Sequence, residues 1–181
     1  MIKHQDIEEI FITHEQIVNK CEELGAIITS EYQGKTPVLV GLLKGCVPFM
    51  SELIKHINTH IQIDFMDVSS YLGGTQTTGK IQILKDLSTD ISGRDVIIVD
   101  DIIDTGLTLH EVFEMLKIRG AKSIEIVTLI DKPEGRKLTT VVPKYVGYYI
   151  PKKFVVGFGL DYNELYRNLP YIGILKESVY K

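Results

Sequence analysis

The chain has 181 residues, 44% hydrophobic and 24% charged, with a formal net charge of -4. That length suits one domain with a substantial core, and the acidic balance argues against a nucleic-acid-binding surface. No apolar stretch approaches the length needed to span a membrane, which argues against a membrane partner.

The start, Met1-Ile2-Lys3-His4-Gln5-Asp6, is followed by no apolar run, so a cytoplasmic protein is expected. Cys21 and Cys46 form no CxxC pair; free thiols in a reducing compartment are expected, not a zinc site.

Ile10-Phe11-Ile12 reads as a short strand. Thr13 and Gln16 form a capping box, and Ile17, Cys21, Leu24 and Ile28 recur at helical spacing. A helix to about Ser30 is predicted. Past the turn Gly34-Lys35-Thr36-Pro37, the run Val38-Leu39-Val40-Gly41-Leu42-Leu43 reads as a central parallel strand. Lys44-Gly45-Cys46 is the loop after it, and Val47-Pro48 opens the next helix. Ile61, Ile63 and Phe65 alternate in a strand that runs to Ser69.

Residues 70–79 are small and polar, with nothing to pack into a core. They predict a mobile hairpin loop of the kind that serves as a lid. Within it, Gly74-Thr75-Gln76-Thr77-Thr78-Gly79-Lys80 fits the first seven positions of a nucleoside-triphosphate P-loop. The eighth should be Ser or Thr and is Ile81, and the chain from Lys80 alternates like a strand instead of opening a helix. A P-loop is therefore rejected. Ile81, Ile83 and Leu87 are read as the strand that follows.

After the turn Ser92-Gly93-Arg94-Asp95 comes the stretch on which the chain is organised. Val96-Ile97-Ile98-Val99 is a buried β-branched strand, followed by the adjacent acids Asp100 and Asp101. Asp104 opens the small turn Thr105-Gly106-Leu107-Thr108. A helix then carries Leu109, Val112, Phe113 and Leu116 on one stripe and is closed by Gly120. A strand ending in a Gly-containing turn at a helix N-terminus presents outward N–H groups and the positive end of the helix dipole to an anion. Two carboxylates beside a phosphate would repel it unless ribose hydroxyls or Mg²⁺ lie between. The stretch alone therefore reads as a site for a phosphorylated sugar with a metal.

Residues 123–131 form another buried strand, and Lys132-Pro133-Glu134-Gly135-Arg136 a loop. Short strands follow over residues 145–149 and 154–156, then the polar and aromatic Asp161-Tyr162-Asn163-Glu164-Leu165-Tyr166-Arg167 and the tail Ile172-Gly173-Ile174-Leu175. Alternating strands and helices predict an α/β fold, a mostly parallel twisted sheet flanked by helices. Ligands of such sheets bind beyond the carboxyl ends of the strands, where Lys44, Asp100, Asp101, Asp104 and Lys132 lie. No repeat or linker divides the chain, so a single domain over residues 1–181 is expected.

These residues match a known pattern. The chain resembles the type I phosphoribosyltransferases and, within them, the hypoxanthine-guanine branch. The resemblance rests on residues 96–108, which are similar to the family's phosphoribosyl diphosphate (PRPP) signature. It rests also on Leu43-Lys44-Gly45, Ser70-Tyr71, Asp131-Lys132, Phe154-Val155-Val156-Gly157, Leu160-Asp161-Tyr162-Asn163-Glu164 and Arg167. Leu107 departs from it, since some members carry Lys there.

The resemblance implies a core at about residues 35–145, a small hood built from the N-terminal segment and residues 146–181, and a mobile loop at 70–79. It implies Mg²⁺-dependent transfer of ribose 5-phosphate from PRPP to N9 of hypoxanthine or guanine, giving IMP or GMP and diphosphate. Asp104, Thr105, Gly106, Leu107 and Thr108 would hold the 5′-phosphate, and Asp100 and Asp101 the ribose hydroxyls or a Mg²⁺. Asp104 would also be the general base near N7 of the purine. Lys44, Gly45 and Arg167 would contact the diphosphate, with the Leu43–Lys44 peptide often cis. Ser70 and Tyr71 would close over it. Lys132 would donate to the purine O6, Phe154 stack on the base, and Val155 contribute its backbone carbonyl. Asp161 would line the purine site and hold a second Mg²⁺. A homodimer or homotetramer is implied. The alternatives are a xanthine-preferring transferase and a PRPP- or nucleotide-sensing regulator of the same fold.

Overall fold

A computed structural model describes residues 2–70, 81–138, 140–151 and 153–181. Tyr71, most of the expected lid and the rejected P-loop stretch lie outside the described residues.

The elements in chain order are β1 (Ile7–Ile12), α1 (His14–Glu31), β2 (Val38–Leu43), α2 (Cys46–Leu53), β3 (Gln62–Ser70) and β4 (Ile81–Lys85). They continue with β5 (Asp95–Ile103), α3 (Leu107–Ile118), β6 (Ser123–Asp131), β7 (Tyr145–Tyr149), β8 (Val155–Val156), β9 (Ile172–Leu175) and α4 (Glu177–Tyr180). Single 3-10 turns lie at Ile54–His56 and Pro133–Gly135.

A six-stranded sheet has the order β4-β3-β2-β5-β6-β7. All its pairs are parallel except β3 with β4. Its central strands are buried on both faces, which is why β2, β5 and β6 read as continuous aliphatic runs. The strand period of two then divides each run between two layers. Leu39, Ile97, Val99, Val127 and Leu129 pack with Ile17, Cys21, Leu24 and Ile28 of α1 and Phe49, Met50 and Leu53 of α2. Val38, Val40, Val96, Ile98 and Ile126 pack with Leu109, Val112 and Leu116 of α3 on the other face. Each such side chain contributes roughly 1.5–3 kcal/mol when removed from water.

Local signals set the helix ends. Gln16 N–H donates to Thr13 Oγ1 at 3.3 Å and Thr13 N–H to Gln16 Oε1 at 2.8 Å, the expected capping box. Gly120 takes the left-handed conformation after α3, and Ala121 N–H returns to Leu116 O at 3.3 Å.

A second, antiparallel sheet has the order β1-β9-β8 and joins the two ends of the chain. Ile7, Val156, Tyr171 and Leu175 form its buried cluster. Tyr171 Oη accepts from His4 N–H at 2.8 Å.

The boundaries of β1 and β4 differ from the sequence reading. β1 starts at Ile7, before the expected Ile10, because Ile7 pairs with Leu175. Register shifts on both sides of Ile10 erase the alternation that would have marked the strand. β4 ends at Lys85, so Leu87 is not in it. Asp86 leaves the ladder there, accepts from Leu87 N–H, and receives two hydrogen bonds from Arg119 at 2.6 and 2.8 Å. Leu87 packs instead on the α3-side cluster.

Candidate active site

A cavity of about 480 Å³ opens at the carboxyl ends of β2, β5 and β6. Its lining brings together Lys44, Gly45, Asp100, Asp101, Asp104, Thr105, Gly106, Thr108, Lys132, Phe154, Val155, Asp161 and Arg167. Leu107 begins α3 and is not part of the lining. Ser70 ends β3, but its side chain is not among the described ones.

The turn after β5 is shaped by Gly106, whose φ of 76° puts it in the left-handed region. Thr105 O accepts from Lys137 N–H at 3.0 Å and Leu138 N–H at 3.4 Å, which ties the turn to the loop after β6. Thr105 Oγ1 accepts from Leu107 N–H at 3.4 Å. The first turn of α3 therefore starts from a turn held on both sides, with Gly106 and Thr108 in the cavity lining.

Asp100 and Asp101 were expected just past the strand. They lie inside it, because β6 runs alongside as far as Asp131 and keeps the ladder going to Ile103. Burial pushes the Asp100 carboxyl well above the usual range, and the neighbouring Asp101 charge pushes it further. Burial also raises Asp101, opposed by hydrogen bonds and by the Arg167 charge. An acidic pair of this kind, Asp101 buried and Asp100 half-buried, favours a cation or hydroxyl donors beside it.

The cations sit opposite. The Leu43–Lys44 peptide is cis. Lys44 Nζ donates to Glu164 Oε2 at 2.8 Å. Arg167 reaches Glu164 Oε1 at 3.2 Å, Asp161 Oδ1 at 2.8 Å and Gly159 O at 2.8 Å. Asp161 Oδ2 also accepts from Glu164 N–H at 3.0 Å. Glu164 thus bridges the two cations, and they hold its carboxyl below its ordinary range, Lys44 chiefly.

Lys132 follows β6 directly, and its Nζ donates to Lys153 O at 2.8 Å. Burial pulls its ammonium below the ordinary lysine range, against the Asp104 charge. Behind it, buried Asp131 pairs with Arg136, which also donates to Val141 O at 2.9 Å. That pair fixes the loop carrying Lys132. Cys46 lies at the start of α2, buried and free, its thiol pushed up to about 12 by burial.

Several contributions were not singled out from the sequence, among them Ile102, Leu160 and Glu164. Ile102 and Leu160 line the cavity, and Glu164 bridges its cations. Ile102 lies between Asp101 and Ile103 in a strand whose length was underestimated. Leu160 and Glu164 stand in a quoted motif, but their directions depend on the tight turn over residues 157–166, where Phe158, Asn163, Glu164 and Tyr166 all have positive φ.

Fold and cavity define an α/β protein whose acidic and basic groups converge at the carboxyl edge of a parallel sheet. The family model "Phosphoribosyl transferase domain" matches residues 8–163, and the chain belongs to that family. Its relatives are more particular. The chain is 58% identical over 177 residues, 98% of each chain, to a hypoxanthine-guanine phosphoribosyltransferase of Staphylococcus aureus (strain Mu50). It is 58% identical over 175 residues, 97% of each chain, to one of Streptococcus agalactiae (strain 2603 V/R). The crystal structure of a hypoxanthine phosphoribosyltransferase from Staphylococcus aureus superposes with a TM-score of 0.95 at 58% identity, covering 98% of this chain and 96% of that one.

Proposed function

We propose that the protein transfers the ribose 5-phosphate of PRPP to N9 of hypoxanthine or guanine, giving IMP or GMP and diphosphate, a purine-salvage reaction. The observation that carries this reading is the convergence on one cavity of the turn at 104–108, the cations Lys44 and Arg167, and the pair Lys132 and Phe154. The relatives at 58% identity support it.

The difficult step breaks the C1–O bond of PRPP through a cation-like ribose. Positioning and electrostatics do most of that work. In this reading the N–H groups and hydroxyls of Thr105, Gly106, Leu107 and Thr108 hold the 5′-phosphate. Asp100 and Asp101 accept from the ribose hydroxyls. Lys44, the Gly45 backbone and Arg167 take up the charge of the leaving diphosphate. Lys132 donates to O6 of the base, an acceptor in hypoxanthine and guanine where adenine presents a donor. Phe154 stacks on the base, Val155 accepts through its carbonyl, and Asp104 takes or shares the N7 proton. Ser70 and Tyr71 close over the diphosphate and exclude water.

Mg²⁺ fits this donor set. Among the described residues no three acidic, imidazole or thiol groups gather into a cage. Mg²⁺ characteristically takes one or two carboxylates together with phosphates and waters. Asp100 and Asp101 are the residues that would hold one Mg²⁺ and Asp161 a second, and these ions would neutralise the diphosphate.

The small sheet is read as a hood over a core at about residues 35–145, within one domain. We read the protein as cytoplasmic and as a homodimer or homotetramer. No helix among the described residues is long and apolar enough to cross a membrane.

The test is diphosphate release from PRPP and Mg²⁺ with hypoxanthine, guanine, xanthine and adenine in turn. Turnover with hypoxanthine and guanine is expected. No turnover with any base overturns the enzyme reading, and adenine as best substrate overturns the role of Lys132.

A further inference from the structure

Phe154 lines the cavity and is 39% exposed. A second ring lies against it. Tyr180, in the last turn of the chain, stacks on Phe154 with centroids 4.6 Å apart and planes 17° from parallel. Tyr162 meets the same ring edge-on, at 5.6 Å and 84°. Neither tyrosine lines the cavity. Phe154 therefore turns one side to the cavity and rests the rest of its ring on two aromatic supports.

The support is itself held. Lys176 N–H donates to Asp6 O at 3.0 Å, Val179 N–H to Lys176 O at 3.0 Å, and Lys181 N–H to Glu177 O at 2.9 Å. The first bond ties the terminal turn to the N-terminal segment, and the other two close the turn itself. Leu175 N–H donates to Phe154 O at 3.1 Å, which fixes the backbone of Phe154 but leaves its ring to packing. Offset-stacked and edge-on aromatic pairs both restrict ring rotation.

We propose that Tyr180 is a positioning residue for the purine. It holds the Phe154 ring in one orientation, so that the base adds as a third layer on a platform already set. The inference rests on the reading of Phe154 as the stacking partner of the base. Pre-ordering the platform removes a rotamer cost that binding would otherwise carry.

Steady-state kinetics of Tyr180→Ala, Tyr180→Leu and Tyr180→Phe, with Phe154→Leu as reference, test it. Tyr180→Ala and Tyr180→Leu are expected to raise KM for hypoxanthine and guanine about three- to tenfold. KM for PRPP and kcat should stay within about twofold, and Tyr180→Phe should restore the purine KM. Tyr180→Leu keeps apolar bulk on the hood, so packing loss alone would leave its purine KM normal. Unchanged purine KM in both Tyr180→Ala and Tyr180→Leu, with a raised value in Phe154→Leu, overturns the role of Tyr180 and leaves that of Phe154 standing. Unchanged purine KM in Phe154→Leu overturns the platform reading and this inference with it.

Discussion

Gly135 lies hard against Asp104: a Cβ on Gly135 would sit 1.8 Å from Asp104 Oδ1. The two residues come from different loops, one after β5 and one after β6, and the absent side chain lets the carboxylate stand where it does. Gly135→Ala must displace either the Asp104 carboxylate or the loop that carries Lys132. A displacement near 1 Å in a reacting constellation costs on the order of a hundredfold in rate. We expect kcat to fall by about that factor while the melting temperature moves little, as read by initial rates and calorimetry. Asp104→Asn should lower kcat by roughly a hundredfold or more, in the range of a lost general base. Both variants turning over normally would remove Asp104 from the chemistry.

In the proposed reading Lys132 donates to a carbonyl oxygen of the base, and burial already weakens its hold on a proton. Replacing it by Met keeps the stem and removes the donor. A hydrogen bond from a charged group is worth about 1.5–3 kcal/mol. Lys132→Met should therefore reduce kcat/KM for hypoxanthine and guanine about ten- to a hundredfold. The loss for adenine should be much smaller. Competition assays with paired bases read the ratio directly. Equal losses for all bases would show that Lys132 supports the loop and does not read the base.

Glu164 bridges Lys44 and Arg167. An anion that takes up these cations must displace it. Both Lys44 and Glu164 are largely exposed, so the competition is weak and screened by salt. Glu164→Gln should tighten product inhibition by diphosphate about two- to fivefold at low ionic strength, fading as salt is raised. Weaker inhibition in the variant would mean that Glu164 orients the cations for the ligand instead of competing with it.

Asp64 has a different task. Its carboxylate, buried in β3, accepts from Phe65 N–H at 2.8 Å and from Ser88 and Thr89 N–H at 2.7 Å. Burial alone would push the group up; the backbone donors outweigh it and hold the carboxyl below its ordinary value near 3.8. A folded value below the unfolded one adds stability that is present above about pH 3.8 and lost as pH falls through the folded value. Asp64→Asn offers one oxygen in place of two and should cost about 1–3 kcal/mol at neutral pH. The gap in melting temperature between variant and parent should narrow below pH 3.8. A gap that persists into acid would assign the loss to packing.

The large sheet was legible because its strands carry their own signal. β2, β5 and β6 are long β-branched or aliphatic runs buried on both faces, and the acids at the end of β5 interrupt such a run conspicuously. α1 announced itself through Thr13 and Gln16. What stayed hidden depends on partners far along the chain. Ile7 is a strand residue only because Leu175 lies beside it, and a motif read in order gives no hint of that pairing. Gly135 looks like any loop glycine until Asp104 is brought against it. Tyr180 looks like part of a polar tail until Phe154 supplies a ring to stack on. These are contacts of the folded chain, and neither periodicity nor propensity encodes them.

The small sheet joins residues 7–12 to residues 172–175 and 155–156, and this separation orders assembly during synthesis. The turn at 104–108 and most of the strands around it are complete when little more than half the chain exists. β1 then waits for β9, a closure across more than 160 residues, as the bond from His4 to Tyr171 at a separation of 167 makes plain. Contacts between such distant positions form late, because the loop entropy must be met before they return anything. A chain still on the ribosome can thus shape the turn at 104–108, but it lacks Phe154 and the Tyr180 ring that stacks on it. The side of the cavity that Phe154 lines is completed only once the chain through Tyr180 has emerged.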